Sequence, residues 1–136
     1  MSLVACGCLL AACVSEQDMT AVENAVAEFH TRQKAGDDAA IYAATSQQFK
    51  TAAALDDLTR LNDAVRMADG CSEPARDKMN VSSRISTEGS FVTVSYTRTC
   101  ARGPIVEQFH MRMSDGHAEL EGYNVSGEAI LASPGT

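Results

Sequence analysis

The sequence predicts an α+β fold: three N-terminal helices packed in the concave face of a curved four-stranded antiparallel meander sheet. Apolar residues recur at helical spacing as far as Gly70. After Cys71 the period changes to alternation, which is the pattern of half-buried strands. Short connectors with turn chemistry join the alternating segments, so neighbouring strands run antiparallel.

Each element has its own signals. Ser15-x-x-Asp18 and Thr20-x-x-Glu23 are both capping sequences for a first helix, whose stripe is Met19, Val22, Val26 and Phe29. Gly36 ends it, since glycine tolerates the left-handed conformation at a helix terminus. Asp37-Asp38 can cap a short second helix carrying Ile41, Tyr42 and Ala44, and Phe49 anchors the bend that follows. Asp56-Asp57 open a third helix with Leu58, Leu61 and Val65 on one face, closed by Gly70. The segments KMNVSSRIS, FVTVSYTRTC, IVEQFHMRM and HAELEGYNVS then read as four strands. Glu88-Gly89, Ala101-Arg102-Gly103-Pro104 and Asp115-Gly116 are their turns.

Pairing the strands symmetrically about those turns aligns Ile85, Val92, Met113 and Ala118 in one row. The next rows of that face are Ser83–Val94–Met111–Leu120, Val81–Tyr96–Phe109–Gly122 and Met79–Arg98–Glu107–Asn124. The opposite face is polar, with Arg84, Thr93, Arg112 and Glu119 beside Ser82, Ser95, His110 and Glu121. The helices must therefore cover the first face, where their own stripes find burial.

The polar row within the apolar face supplies the candidate site: Tyr96, Arg98, Glu107 and Asn124. Arg98 could hold a carboxylate, with Glu107 as its counter-ion or as a base and Tyr96 adding a hydroxyl. The plainer reading of the same residues, and the one their pairing favours, is a structural, partly solvated ion pair near the open end of the sheet. His30 beside Phe29 could face the cavity or be a satisfied core histidine, while His110 and His117 fall on the surface. These scattered histidines have no metal-ligand spacing, so no metal and no cofactor is expected.

The chain has 136 residues and a formal charge of −7, the size of one domain. That charge excludes the basic footprint of nucleic-acid binding and electrostatic docking on anionic lipid. Leu3 to Ala12 form an uncharged apolar run, too short to span a bilayer. Leu10-Ala11-Ala12-Cys13 matches the lipobox of bacterial lipoproteins, so Cys13 is expected to carry a lipid and anchor the chain to a membrane. Only Met1-Ser2 precede the run, where a signal carries positive charge, which reads as a shortened start. The expected organisation is a signal peptide at 1–12, anchor and linker at 13–19, a folded domain at 20–130 and a tail at 131–136. The expected location is extracytoplasmic, at the outer membrane or cell surface. In such an oxidising space Cys71 and Cys100 are most simply one disulfide.

Helices followed by a long-stranded meander ending DGHAELEGYNV resemble small secreted members of the nuclear transport factor 2-like, or cystatin-like, superfamily. Tyr96, Glu107, Asp115-Gly116 and Gly122-Tyr123 carry the resemblance, which covers roughly Thr20 to Ser126. Where many relatives have a tryptophan before the final Gly-Tyr, this chain has Ala118 and Leu120. The resemblance implies a conical cavity used for isomerase, dehydratase or hydrolase chemistry, or for binding ligands and partners. Three functional expectations follow: a lipid-anchored, non-catalytic accessory or small-molecule-binding domain; an enzyme using the polar end of the cavity; and a structural subunit, possible homodimer through the polar sheet face.

Overall fold

The computed structural model describes residues 14–131. The expectations for the signal at 1–12, the lipid on Cys13 and the tail beyond Leu131 lie outside the described residues.

Helix α1 spans Glu16–Ala35. Ser15 caps it by accepting from the Asp18 N–H at 3.1 Å, so the upstream capping signal sets the start and Glu16–Met19, read as linker, is helical. Gly36 ends it in the left-handed region at φ 73°. Helix α2 (Asp38–Ala43) begins where Asp37 accepts from the Ala40 N–H at 3.3 Å. Helix α3 (Gln47–Ala52) replaces the expected bend: Ser46 caps it, and Phe49 is buried from it. Helix α4 (Leu55–Ala68) opens with the Asp57 carboxylate accepting from the Ala54 N–H at 2.9 Å. Among the described residues four helices therefore precede the sheet, where three were expected. A single 3-10 turn at Arg76–Lys78 leads into it.

The sheet is an antiparallel meander in the order β1 (Met79–Ser86), β2 (Gly89–Cys100), β3 (Gly103–Ser114) and β4 (His117–Ser126). Helix α5 (Glu128–Leu131) follows and packs on β3. The fold class is as the sequence predicts. Register differs in two ways. The first two hairpins close on Ser86↔Gly89 and Cys100↔Gly103, tighter turns than expected, so Val92 lies opposite Ser83 and Met111. That slides each pairing by two residues and leaves every side chain on its predicted face. The third hairpin closes on Ser114↔His117 as expected, but a bulge at His110/Met111 then skips Glu121. Beyond it Phe109 pairs with Tyr123 and Glu107 with Val125, so Tyr123 and Val125 enter the core. Asn124 is exposed beside Gln108, which corrects its assignment to the inner row. Gly122 likewise lies opposite His110 rather than in the core row.

The core lies between the helices and β2–β4: Val22, Val26 and Phe29 of α1 and Leu58 and Val65 of α4 meet Val94, Phe109 and Met111. The helix layer does not reach the far edge. On β1, Val81 is 39 % and Ile85 82 % exposed, although both belong to the apolar face.

Candidate functional site

The last two turns of α1 continue its buried stripe with polar residues. His30 and Gln33 follow Val26 at intervals of four and three, so both point at the sheet, and both are buried. Beneath them Glu107 of β3 and Arg98 of β2 are almost wholly removed from water, at 0 % and 2 % exposure. Isolated charges there would be very costly, so each needs partners.

Glu107 has them on both oxygens. Its Oε1 accepts from Arg98 Nη1 at 2.7 Å and lies 2.8 Å from His30 Nε2, while Oε2 accepts from the Tyr123 hydroxyl at 2.6 Å. Burial alone would raise its carboxyl. The His30 hydrogen bond, the adjacent cationic charge and the Tyr123 hydroxyl outweigh it and carry the group below its ordinary value. The group is therefore a carboxylate at neutral pH and can only accept. This assigns the hydrogen to His30 Nε2, and in the neutral ring the lone pair to Nδ1. Arg98 Nη1, 3.2 Å from Nε2, is then a close neighbour of the ring rather than its donor.

The network continues through the helices. Gln33 Nε2 donates to the Tyr123 hydroxyl at 3.3 Å and to Asn62 Oδ1 at 2.9 Å, and Asn62 Nδ2 donates to Asp38 Oδ1 at 2.8 Å. Arg66 closes the chain with bonds of 3.0 and 2.9 Å to the two Asp38 oxygens. Its hydrogen bonds hold the Asp38 carboxyl below the usual range. Among the described residues no buried side-chain nitrogen or oxygen lacks a partner.

Two polar groups at the margin are open. His30 Nδ1 and the Tyr96 hydroxyl make no hydrogen bond within the described residues, and neither is a buried orphan. Both residues line a pocket of about 310 Å³ between α1, the segment 73–76 and β2. Two ion pairs bracket it. Lys34 Nζ meets Glu73 Oε1 at 2.9 Å, and Arg76 grips Glu23 through Nε at 3.0 Å and Nη2 at 2.6 Å. The segment is tied down behind the pocket by Arg98 Nε donating to Ser72 O at 2.7 Å. There too the Cys71 and Cys100 sulfurs stand 2.06 Å apart, the expected disulfide distance.

The structure thus brings Arg98 and Glu107 together as expected, though diagonally: Arg98 lies opposite Ile105 and Glu107 opposite Tyr96. Tyr96 lines the pocket and makes no hydrogen bond to the ion pair, and Asn124 is exposed on the other face of the sheet. Tyr123 takes the place expected for Asn124. His30, Gln33, Asn62, Asp38 and Arg66 join a network that the sequence reading did not assemble. His110 lies on the outer face, bonded to Thr93 at 2.8 Å and stacked on Phe91. Among the described residues no group of His, Cys, Asp or Glu could hold a metal, and no helix is long and apolar enough to cross a membrane.

No protein-family model matches this chain, and the searches of curated proteins and of solved structures likewise found no match.

Proposed function

We propose that this protein is a non-catalytic binding domain of the cell envelope, tethered by a lipid on Cys13, that takes a small polar ligand in the pocket between α1 and the 73–76 segment. One observation carries the reading: His30 Nδ1 and the Tyr96 hydroxyl are open polar atoms on one pocket wall, beside a polar network that is otherwise complete. A few convergent polar groups on a partly apolar wall are what fix a small ligand. Val26 and Ala27 supply the apolar part of that wall. The Leu10-Ala11-Ala12-Cys13 box supports the tether, and the Cys71–Cys100 pair suits an oxidising compartment. Against catalysis by Glu107 stands its ion pair with Arg98, which makes the carboxylate a weak base.

The test is an NMR titration of the full chain with four probes of one size: butyramide, butyrate, butylammonium and 4-aminobutyrate. Shifts centred on His30, Tyr96 and Lys34 with any probe support the pocket; silence from all four overturns it. Mass spectrometry of the membrane fraction tests the tether, and an unmodified Cys13 in the mature protein removes it.

The His30–Glu107 dyad favours a second reading, an enzyme, because a carboxylate that fixes the imidazole tautomer leaves Nδ1 as a base facing the pocket. A bound probe recovered chemically changed after long incubation, but unchanged with the His30→Gln variant, would favour this reading over the first.

A further inference from the structure

We propose that the pocket selects a small zwitterion, an ammonium and a carboxylate on one short chain, over ligands of a single charge. This rests on the pocket reading above and specifies its ligand.

The argument begins with the wall charges. Among the lining residues Lys34 and Arg76 are matched by Glu73 and Glu23, so the wall itself carries no net charge, and Glu16, 3.7 Å from Arg76, lies outside it. A lone anion that drew Arg76 to itself would leave Glu23 uncompensated, and a lone cation on Glu73 would do the same to Lys34. A zwitterion offers both signs and lets both pairs share without loss. The Lys34–Glu73 pair is free to share, because its members are 60 % and 76 % exposed and an ion pair in that setting is worth little.

Polarity is divided between the two ends. At one end stand His30 Nδ1, an acceptor in the neutral ring, and Glu73, whose Oε2 has no partner within the described residues. Glu73 is bonded to Lys34, which stands one turn beyond His30 on α1, and this places it at the His30 end. Two acceptors there suit an ammonium. At the other end are the Tyr96 hydroxyl and Arg76, whose Nη1 is not used on Glu23. Burial pushes the Tyr96 phenol up to about 12, with further influence from Glu23 and Arg76, so it stays protonated and donates. Two donors there suit a carboxylate. The ends lie on neighbouring ground: Tyr96 pairs across the sheet with Glu107, the residue that holds His30. A short chain can therefore reach both.

The same four probes decide it, at one ionic strength, since the rim pairs are screened by salt. 4-Aminobutyrate should bind at least roughly tenfold more tightly than butyrate or butylammonium. Glu73→Gln should weaken 4-aminobutyrate by roughly tenfold, a larger factor than it weakens butyramide, whereas Tyr96→Phe should weaken both probes, because its hydroxyl serves any polar ligand. Glu73 is exposed, so its variant carries the test even where Tyr96→Phe disturbs folding. If either single-charge probe binds as tightly as 4-aminobutyrate, or if Glu73→Gln leaves 4-aminobutyrate unaffected, the zwitterion proposal falls and the pocket stands. If no probe binds at all, both fall.

Discussion

The Tyr123 hydroxyl donates to Glu107 Oε2 across 2.6 Å, deep between α1 and the sheet. It is also the oxygen that Gln33 reaches, so one phenol joins the carboxylate on the sheet to the amides of the helices. Removing that oxygen leaves a buried carboxylate oxygen and a buried amide short of a partner. Tyr123→Phe should therefore destabilise the protein by about 1–3 kcal/mol, although the ring is retained. Urea unfolding measures it, and an unchanged midpoint would show that water or repacking replaces the hydroxyl.

Arg98 and Glu107 form the most deeply buried ion pair among the described residues, at 2.7 Å. A charge left alone at this depth is penalised more than the absence of both. Arg98→Met should cost about 3–5 kcal/mol, and the double variant Arg98→Met with Glu107→Gln should cost less than the Arg98 change alone. A double-mutant cycle read by denaturant unfolding gives the coupling. Additive losses would mean that the two groups do not stabilise each other.

The extent to which this architecture is legible in the sequence follows from periodicity. A strand repeats every two residues, so a slide of two in the first two hairpins left Val94, Tyr96, Arg98 and Glu107 on the correct face. A bulge adds one residue and reverses the faces beyond it, which is why Asn124 and Tyr123 exchanged places. No pattern announces the bulge before the pairing is known, although Gly122 stands beside it. Helix α3 has only six residues, too few for a stripe to show. The signal for His30 and Gln33 was present: polar residues standing at the apolar period of α1 are the sequence mark of a buried network. What it lacked was the partners, which lie 77 and 90 residues away.

The pH dependence of stability has a definite sign. Glu107 and Asp38 have lowered carboxyl pKa values in the folded state, against unfolded values near about 4. The unfolded chain then takes up protons first on acidification. Their stabilisation is complete above roughly pH 5 and is lost as the pH falls through the lowered values. Tyr96 acts in the opposite sense. Its folded value is about 12, above the unfolded phenol at about 10, so stability is lost as pH rises across that interval. Chemical unfolding across pH should show a plateau between these limits, and Glu107→Gln should flatten the acid side. An acid limb unchanged in that variant would assign the loss to other carboxylates.

Cys71 and Cys100 are separated by 29 residues, and a bond between them closes the end of α4 onto the end of β2. In the chain-entropy model a loop of that length stabilises by roughly 3–4 kcal/mol. Backbone bonds reinforce the closure: the Ala101 N–H donates to Asp69 O at 2.7 Å and the Ser72 N–H to Thr99 O at 2.8 Å. Replacing both cysteines with serine should therefore lower stability while the fold persists. Two free thiols in the unreduced protein would remove the basis of the expectation.

Gly127 joins β4 to α5 at φ 129°, a conformation that side chains of L-residues rarely adopt. A Cβ there would lie 2.4 Å from Pro104 O and 2.9 Å from Ile105 Cα, both backbone atoms of β3 that cannot turn aside. Strain and overlap act together, so Gly127→Ala should cost about 2–5 kcal/mol. Gly36 provides the contrast. It also has positive φ, at 73°, but nothing lies within 4 Å of its missing Cβ. Gly36→Ala should cost only about 1–2 kcal/mol, the backbone contribution alone. The difference between the two variants in thermal or urea unfolding isolates the close approach of α5 to β3. Equal losses would mean that the α5 junction relaxes away from Pro104 and that Ala129, fully buried beyond it, does not hold the helix in place.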